Sequence, residues 1–100
     1  MATVTKALAR TAAATSSTTL YTVPSATTTV VSNIAVTNTA GSAGTFTLGL
    51  GGVSLHTTTA IAANATVYID LKQVLVATNT ITGLASATTI NFHISGVEIS

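Results

Sequence analysis

The only two carboxylate side chains in the sequence are Asp70 and Glu98, so any mechanism that needs paired acids would have to use both. Asp70 stands beside Lys72 in a segment of alternating polar and apolar residues, which favours a position on the outside of a strand. Glu98 lies close to the last residue. Nothing else in the sequence predicts a polar cleft around either acid. We therefore expect no catalytic residue among them and interpret the chain as a non-enzyme.

The two histidines, His56 and His93, could meet across strands or on an oligomer axis. Two imidazoles without nearby carboxylates make a poor metal site, so we expect no metal and no other cofactor. Surface or interface positions are the better interpretation, and there histidine can make assembly sensitive to pH. A Ser-His-Asp set can be written from Ser54 or Ser95 with His93 and Asp70, but serine is common here. No nucleophile-elbow motif supports such a set.

Three glycines near the middle of the chain, Gly49, Gly51 and Gly52, could in principle cradle a phosphate. A phosphate loop needs a helix after it, and no helical pattern follows these glycines. The pair Gly51-Gly52 instead separates two segments of alternating apolar residues. This arrangement predicts a tight β-hairpin turn.

The composition of the chain indicates that partner molecules cover much of its surface. The chain has 100 residues, which fits one domain, and 47% of them are hydrophobic, an ordinary share. Only 5% are charged, against roughly a quarter in typical domains. A bare, near-neutral surface protects a monomer poorly against association. We therefore expect a building block of a larger assembly, covered by partners or carried on a particle.

The same composition excludes several other classes of protein. No basic patch is present for nucleic acid to bind, and no apolar run approaches the roughly 18 residues of a membrane span. The absence of cysteine rules out disulfides and thiolate metal sites. The first residues contain Lys6 and Arg10 but no apolar core of a secretory signal. We expect neither a nucleic-acid partner nor a membrane partner.

Two zones follow from the pattern of residues along the chain. Residues 1–18 are rich in Ala, Thr and Ser and have no clear apolar period, so we interpret them as an N-terminal arm that becomes ordered against neighbours. The stretch ALARTAAA could form a short helix by alanine propensity, although isolated helices of this length are marginal. Residues 19–100 are rich in Thr, Val and Ile, which predicts a β domain.

Period-two alternation predicts the strands of this domain. A long strand is expected over Thr28–Asn38 with Val30, Ile34 and Val36 on one face. Several further alternating segments follow, and the last of them has Ile90, Phe92 and Ile94 on one face. After Gly96 the apolar positions change parity to Val97 and Ile99, which suggests a β-bulge. Six to eight strands of this kind predict an all-β fold, a small antiparallel β-sandwich that is jelly-roll-like.

Five short motifs occur in a fixed order along residues 18–100. They are LYTVP at 20–24, VVSNIAVTN at 30–38, TFTL at 45–48, IAAN at 61–64 and GVEI at 96–99. In this set the chain resembles a group of small virion proteins of tailed bacteriophages. The resemblance implies a structural component of the particle and brings no catalytic residues.

Within that group we expect a capsid decoration (cement) protein that clasps neighbouring capsomers. The expected partners are further copies of the chain, in a trimer, and the major capsid protein. The expected location is the surface of the virion after synthesis in the host cytoplasm. Contacts are predicted in the arm and in the edge strand that follows it, at Lys6, Arg10, Leu20, Tyr21 and Val23. Adding a strand to a neighbour's sheet is a natural mode of such contacts.

Two other functions stay open at this point. The chain could be a tail, neck or fibre module, which the number of copies per particle would distinguish. It could also be a module that binds glycans of the host surface, for which Tyr21, Tyr68, Phe46 and Phe92 are the only aromatic residues. Both phenylalanines are predicted to lie in the core.

Overall fold

The computed structural model describes residues 3–100, and these form eight β-strands. The bounds are β1 Thr3–Ala12, β2 Thr18–Thr22, β3 Thr28–Asn38, β4 Gly44–Leu50, β5 Val53–Ile61, β6 Thr66–Leu75, β7 Thr80–Ala85 and β8 Ile90–Ile99. No helix is present among the described residues. The long strand predicted over Thr28–Asn38 is confirmed at both ends.

The strands pair into two four-stranded antiparallel sheets. Sheet A has the order β1-β8-β3-β6, and sheet B has the order β2-β7-β4-β5. The pairs β1–β8, β2–β7, β3–β6 and β4–β5 show that the chain is one long antiparallel ribbon, wrapped so that alternate pairs fall in opposite sheets. Eight strands rolled in this way form a jelly roll. The predicted all-β sandwich is therefore confirmed.

The core lies between the sheets and is built from alternate residues of their inner faces, as the period-two pattern predicts. Phe92 of β8 and Phe46 of β4 are its largest members. Their rings meet edge to face across the two sheets, with centroids 6.4 Å apart. Around them lie branched aliphatic side chains that are almost fully buried: Val31, Ile34, Val36, Leu48, Ile61, Ile81, Ile90 and Ile94. The two phenylalanines thus occupy the positions that the sequence predicts.

The predicted arm is different in the structure, because Thr3–Ala12 is the edge strand of sheet A. It pairs with β8 along its whole length, and the side chains of Leu8 and Ala13 are buried in the core. The stretch ALARTAAA is therefore strand and irregular chain, and no helix forms there. Composition could not show this because β8 recruits the strand mainly by backbone hydrogen bonds, which Ala and Thr supply as well as any other residue.

In β3 and β8 the positions of the bulges differ from the prediction, and this changes which residues face the core. In β3 an extra residue at Ser32 interrupts the register with β8, so Val31 is buried while Val30 lies on the outer face. In β8 no bulge occurs at Gly96, since every second residue from Ile90 onward stays on the inner face. Val97 and Ile99 thus belong to the outer face of sheet A. The bulges lie in the neighbouring strands instead: at Ser32 of β3, opposite Gly96 and Ser95, and at Leu8 of β1, opposite Ser95 and Ile94.

Gly96 and the pair Gly51-Gly52 have specific backbone reasons to be glycine. A β-carbon on Gly96 would overlap the carbonyl oxygen of Val30, so only glycine allows β3 to approach β8 at its bulge. Gly51 and Gly52 have φ angles of 59° and 82° and join β4 to β5. Two successive positive φ angles define a tight hairpin turn. The predicted hairpin is confirmed.

Candidate assembly and ligand surfaces

The charged residues of the chain are distributed unequally between the two sheets. Lys6 and Arg10 lie on β1, Asp70 and Lys72 on β6, and Glu98 on β8, so every charged side chain belongs to sheet A. The four strands of sheet B contain no Asp, Glu, Lys or Arg. A typical protein surface has about 25–35% charged residues. The outer face of sheet B is therefore unusual for a surface that contacts water.

Small hydroxyl and glycine residues make up most of the outer face of sheet B, which also carries Leu84. One row crosses all four strands in the order Ser54, Gly49, Thr82, Thr19. Gly49 has no room for a side chain, because a β-carbon there would lie 2.8 Å from the Thr82 hydroxyl. The row borders a shallow depression of about 310 Å³, which we call the hydroxyl groove. Its surface can exchange hydrogen bonds but offers no charge to a ligand.

The free edge of sheet B at β5 is apolar in part. Val53 is 71% exposed and Leu55 is 37% exposed, and both follow the hairpin turn. Edge strands that must avoid pairing usually carry charged residues or proline, and β5 has neither. The edges of sheet A differ, because β1 and β6 both carry charged residues. Sheet B thus has an uncharged face and an uncharged edge next to each other.

The predicted contact residues fall into two groups in the structure. Lys6 and Arg10 are exposed on the edge strand β1. Leu20 and Tyr21 are half-buried and pack against the core, because a register shift between Thr19 and Tyr21 turns both side chains inward. Val23 is only 1% exposed and belongs to the core, so its side chain cannot touch a partner. Strand β2 itself is an edge strand, as predicted.

The side chain of Tyr21 belongs to a polar cluster that links the two sheets. Its hydroxyl donates a hydrogen bond to the Glu98 carboxylate and lies 2.9 Å from the Thr29 hydroxyl. The ammonium group of Lys6 lies 3.4 Å from both oxygens of the same carboxylate. Burial raises the pKa of Tyr21 above its ordinary value of 10.0, and the bond to Glu98 acts in the same direction. The hydrogen bond from Tyr21, helped by Lys6, lowers the pKa of Glu98 below its ordinary 4.5, while burial opposes this.

A second row crosses the outer face of sheet A in the order Tyr68, Ala35, His93, Arg10, and we call it the tyrosine row. Tyr68 is 74% exposed, the largest exposure among the big apolar and aromatic side chains of the described residues. Ala35 separates its ring from the imidazole of His93. The neighbouring rows add the polar side chains Asp70, Asn33 and Asn91.

Polar side chains around the tyrosine row have no partners within the described part of the chain. Those of Tyr68, Asp70, Asn33, Asn91, His93 and Arg10 make no side-chain hydrogen bond or ion pair with residues 3–100. They contrast with the cluster at Glu98, in which each group is bonded to another. The sequence shows these six residues only as scattered polar positions. The alternation of each strand was the one signal that could have placed them on a common face.

The structure separates the residues considered for catalysis. Asp70 is on the outer face of sheet A and Glu98 on its inner face, so the two acids do not form a pair. His56 lies on β5, where its ring centroid is 5.7 Å from that of Phe46, whereas His93 lies on the opposite sheet. The two histidines therefore do not meet within one chain. Asp70 and His93 do share a face, but no hydrogen bond joins them.

No group of three or more His, Cys, Asp or Glu residues lies together within residues 3–100. No helix in the same range is long and apolar enough to cross a membrane.

Comparisons with known proteins add nothing to this description. No protein-family model matches the chain, and no curated protein shows significant sequence similarity to it. The resemblance to phage virion proteins accordingly stands on the five ordered motifs alone.

Proposed function

We propose that this protein is a structural subunit of a tailed-phage particle, a capsid decoration protein that stabilises the head by bridging neighbouring capsomers. The observation that supports the proposal best is the uncharged outer face of sheet B. Burying a charge without a partner is costly, so the centres of protein interfaces are depleted in charged residues. A face that is permanently covered by a partner needs no charged residues, and the strands of sheet B contain none.

We propose contacts on sheet B in place of those expected in the arm. Val23 is in the core, so its side chain is not available to a neighbour, and Lys6 already forms an ion pair with Glu98. The hydroxyl groove and the apolar edge at Val53 and Leu55 offer hydrogen bonds and apolar area side by side. In this proposal they contact the major capsid protein or another copy of the chain within a trimer.

Variants that add a charge either to sheet B or to sheet A test which of the two sheets contacts the particle. Ser54→Lys adds a cation at the exposed β5 end of the row on sheet B, and Thr5→Lys adds the same cation to the exposed β1 edge of sheet A. We expect Ser54→Lys to weaken binding to particles that lack the native protein, because the new charge is buried in the contact. Thr5→Lys is the matched control and should bind as well as the unchanged protein. Equal binding of both variants would argue against sheet B as the contact.

Imaging and counting test the function itself. Particles made without the gene should lack density on the head and should lose resistance to heat and osmotic shock. Mass spectrometry of complete particles should give hundreds of copies, as a head protein requires. A few copies or some tens would indicate the tail, neck or fibre module instead. Unchanged heads with unchanged resistance would refute the proposal.

A further inference from the structure

We propose that the outer face of sheet A, centred on the tyrosine row, is a binding site for a neutral oligosaccharide. The proposal concerns the face opposite to sheet B and does not depend on what sheet B contacts. Its starting point is Tyr68, which is 74% exposed near the start of β6, on a strand face where Thr66 and Asp70 flank it. The other three aromatic side chains are buried or half-buried against the core.

The shape of the row suits a flat ligand that lies against the sheet. Neighbouring strands are about 4.8 Å apart, so Tyr68 and His93 are separated by about 10 Å across Ala35. The methyl group of Ala35 leaves a shallow space between the two rings. A pyranose ring has an apolar face of C–H groups that can pack on the tyrosine ring. The row continues to Arg10, which gives space for a second sugar unit.

The hydrogen-bonding groups around the row match sugar hydroxyls. Each hydroxyl both donates and accepts, so a sugar site needs acceptors and donors together. Asp70 supplies acceptors, Arg10 supplies donors, and Asn33 and Asn91 supply both. None of these side chains has a hydrogen-bond partner within residues 3–100. They are therefore free to bond to a ligand without breaking a contact of the protein.

The charges of the face favour a neutral ligand over an acidic one. Arg10 lies at one end of the row, Asp70 lies near the other, and Lys72 follows Asp70 two residues along β6, so no cluster of cations faces the row. A protein partner fits less well, because a stable protein interface needs about 800 Å² per partner and an apolar centre. Ala35 has polar side chains on most sides, whereas the apolar row of this face, Val74, Val30 and Val97, crosses it five residues away along β3.

Nuclear magnetic resonance on the purified full chain tests the proposal directly. Amide resonances of the 15N-labelled protein are recorded while neutral oligosaccharides of hexoses, deoxyhexoses and N-acetylhexosamines are added in turn. We expect at least one of these sugars to shift the amides of Ala35, Tyr68 and His93, and to leave those of sheet B unmoved. Absence of any shift with all of the sugars, or shifts centred on sheet B, would overturn the proposal.

Variants of Tyr68 identify the role of its ring. Tyr68→Ala should weaken binding about tenfold or more, because the stacking surface is lost. Tyr68→Phe keeps the ring and should retain most of the affinity. Val76→Ala, at an exposed position between β6 and β7 that belongs to neither proposed surface, is the matched control and should bind like the unchanged protein. Unchanged affinity of Tyr68→Ala would overturn the proposal. The result is independent of particle binding, so its failure would leave the proposed decoration role untouched.

Discussion

Replacing Phe92 by alanine removes the side chain on which the centre of the sandwich is built. Phe92 is fully buried, and its ring meets that of Phe46 edge to face at 6.4 Å. It lies on β8, which has a neighbouring strand on each side in sheet A. Because β8 is fixed by both neighbours, we expect the strand to move little when the ring is removed. The vacated space should remain largely as a cavity.

The expected loss of stability in Phe92→Ala follows from the burial of the ring and from the limited movement of β8 into the cavity. Truncation of a fully buried phenylalanine costs about 3–5 kcal/mol, and the upper part of that range applies where the surroundings cannot close in. We therefore expect a loss of about 4 kcal/mol from a domain whose total stability is about 5–15 kcal/mol. At about 4–8 °C per kcal/mol for a domain of this size, the melting temperature should fall by at least about 15 °C.

Urea unfolding followed by far-ultraviolet circular dichroism measures the loss, with the slope of the transition checked for constancy. The matched control is Val53→Ala, which truncates a side chain that is 71% exposed and should change stability by no more than about 0.5 kcal/mol. A loss below about 1.5 kcal/mol for Phe92→Ala, or one equal to that of the control, would refute the reasoning. It would mean that the ring does not occupy the centre of the core.

Two further predictions concern the polar cluster and the bulge. The lowered pKa of Glu98 stabilises the fold above pH 4.5, and this contribution is lost as the pH falls through the folded-state value. The raised pKa of Tyr21 adds stability that is complete below pH 10.0 and is lost as the pH rises further. In Tyr21→Phe both losses should therefore be smaller when urea midpoints are measured across pH, and an unchanged profile would contradict the cluster. Gly96→Ala should cost about 1–3 kcal/mol in thermal unfolding, because its β-carbon overlaps the carbonyl of Val30. Gly41→Ala, where a β-carbon meets nothing within 4 Å, is the control, and equal effects of the two changes would count against the close approach.

The fold could be predicted from the sequence wherever side-chain pattern alone determines it. Alternation places Phe46, Phe92 and the ends of β3 correctly, because period-two burial is a direct consequence of strand geometry. The same rule fails at Ser32, since a bulge inserts one residue and exchanges the faces of Val30 and Val31. A bulge depends on what the partner strand does, here at Gly96, and a single strand's pattern does not contain that information.

Prediction of the candidate surfaces was less complete for a related reason. The scarcity of charge is visible in composition, but its confinement to sheet A depends on which strands share a sheet. Tyr68, His93 and Arg10 lie on three different strands and become neighbours only through the pairings of β1, β8, β3 and β6. Strand β1 shows the same limit, because its place beside β8 is determined by backbone pairing and not by an apolar pattern.

The ribbon pairing of β1 with β8 has a consequence for how the protein is made. Thr3 pairs with Ile99, so β1 leaves the ribosome well before its partner strand β8 has been made. Folds dominated by such distant pairings close slowly, because the chain entropy is lost before the contacts form. At about 5–20 residues per second, the stretch from Thr3 to Ile99 takes about 5–20 seconds to synthesise, during which β1 lacks its partner strand β8. The finished sandwich therefore cannot form before β8 has been made, and a product truncated ahead of β8 would expose apolar inner faces that the sandwich buries.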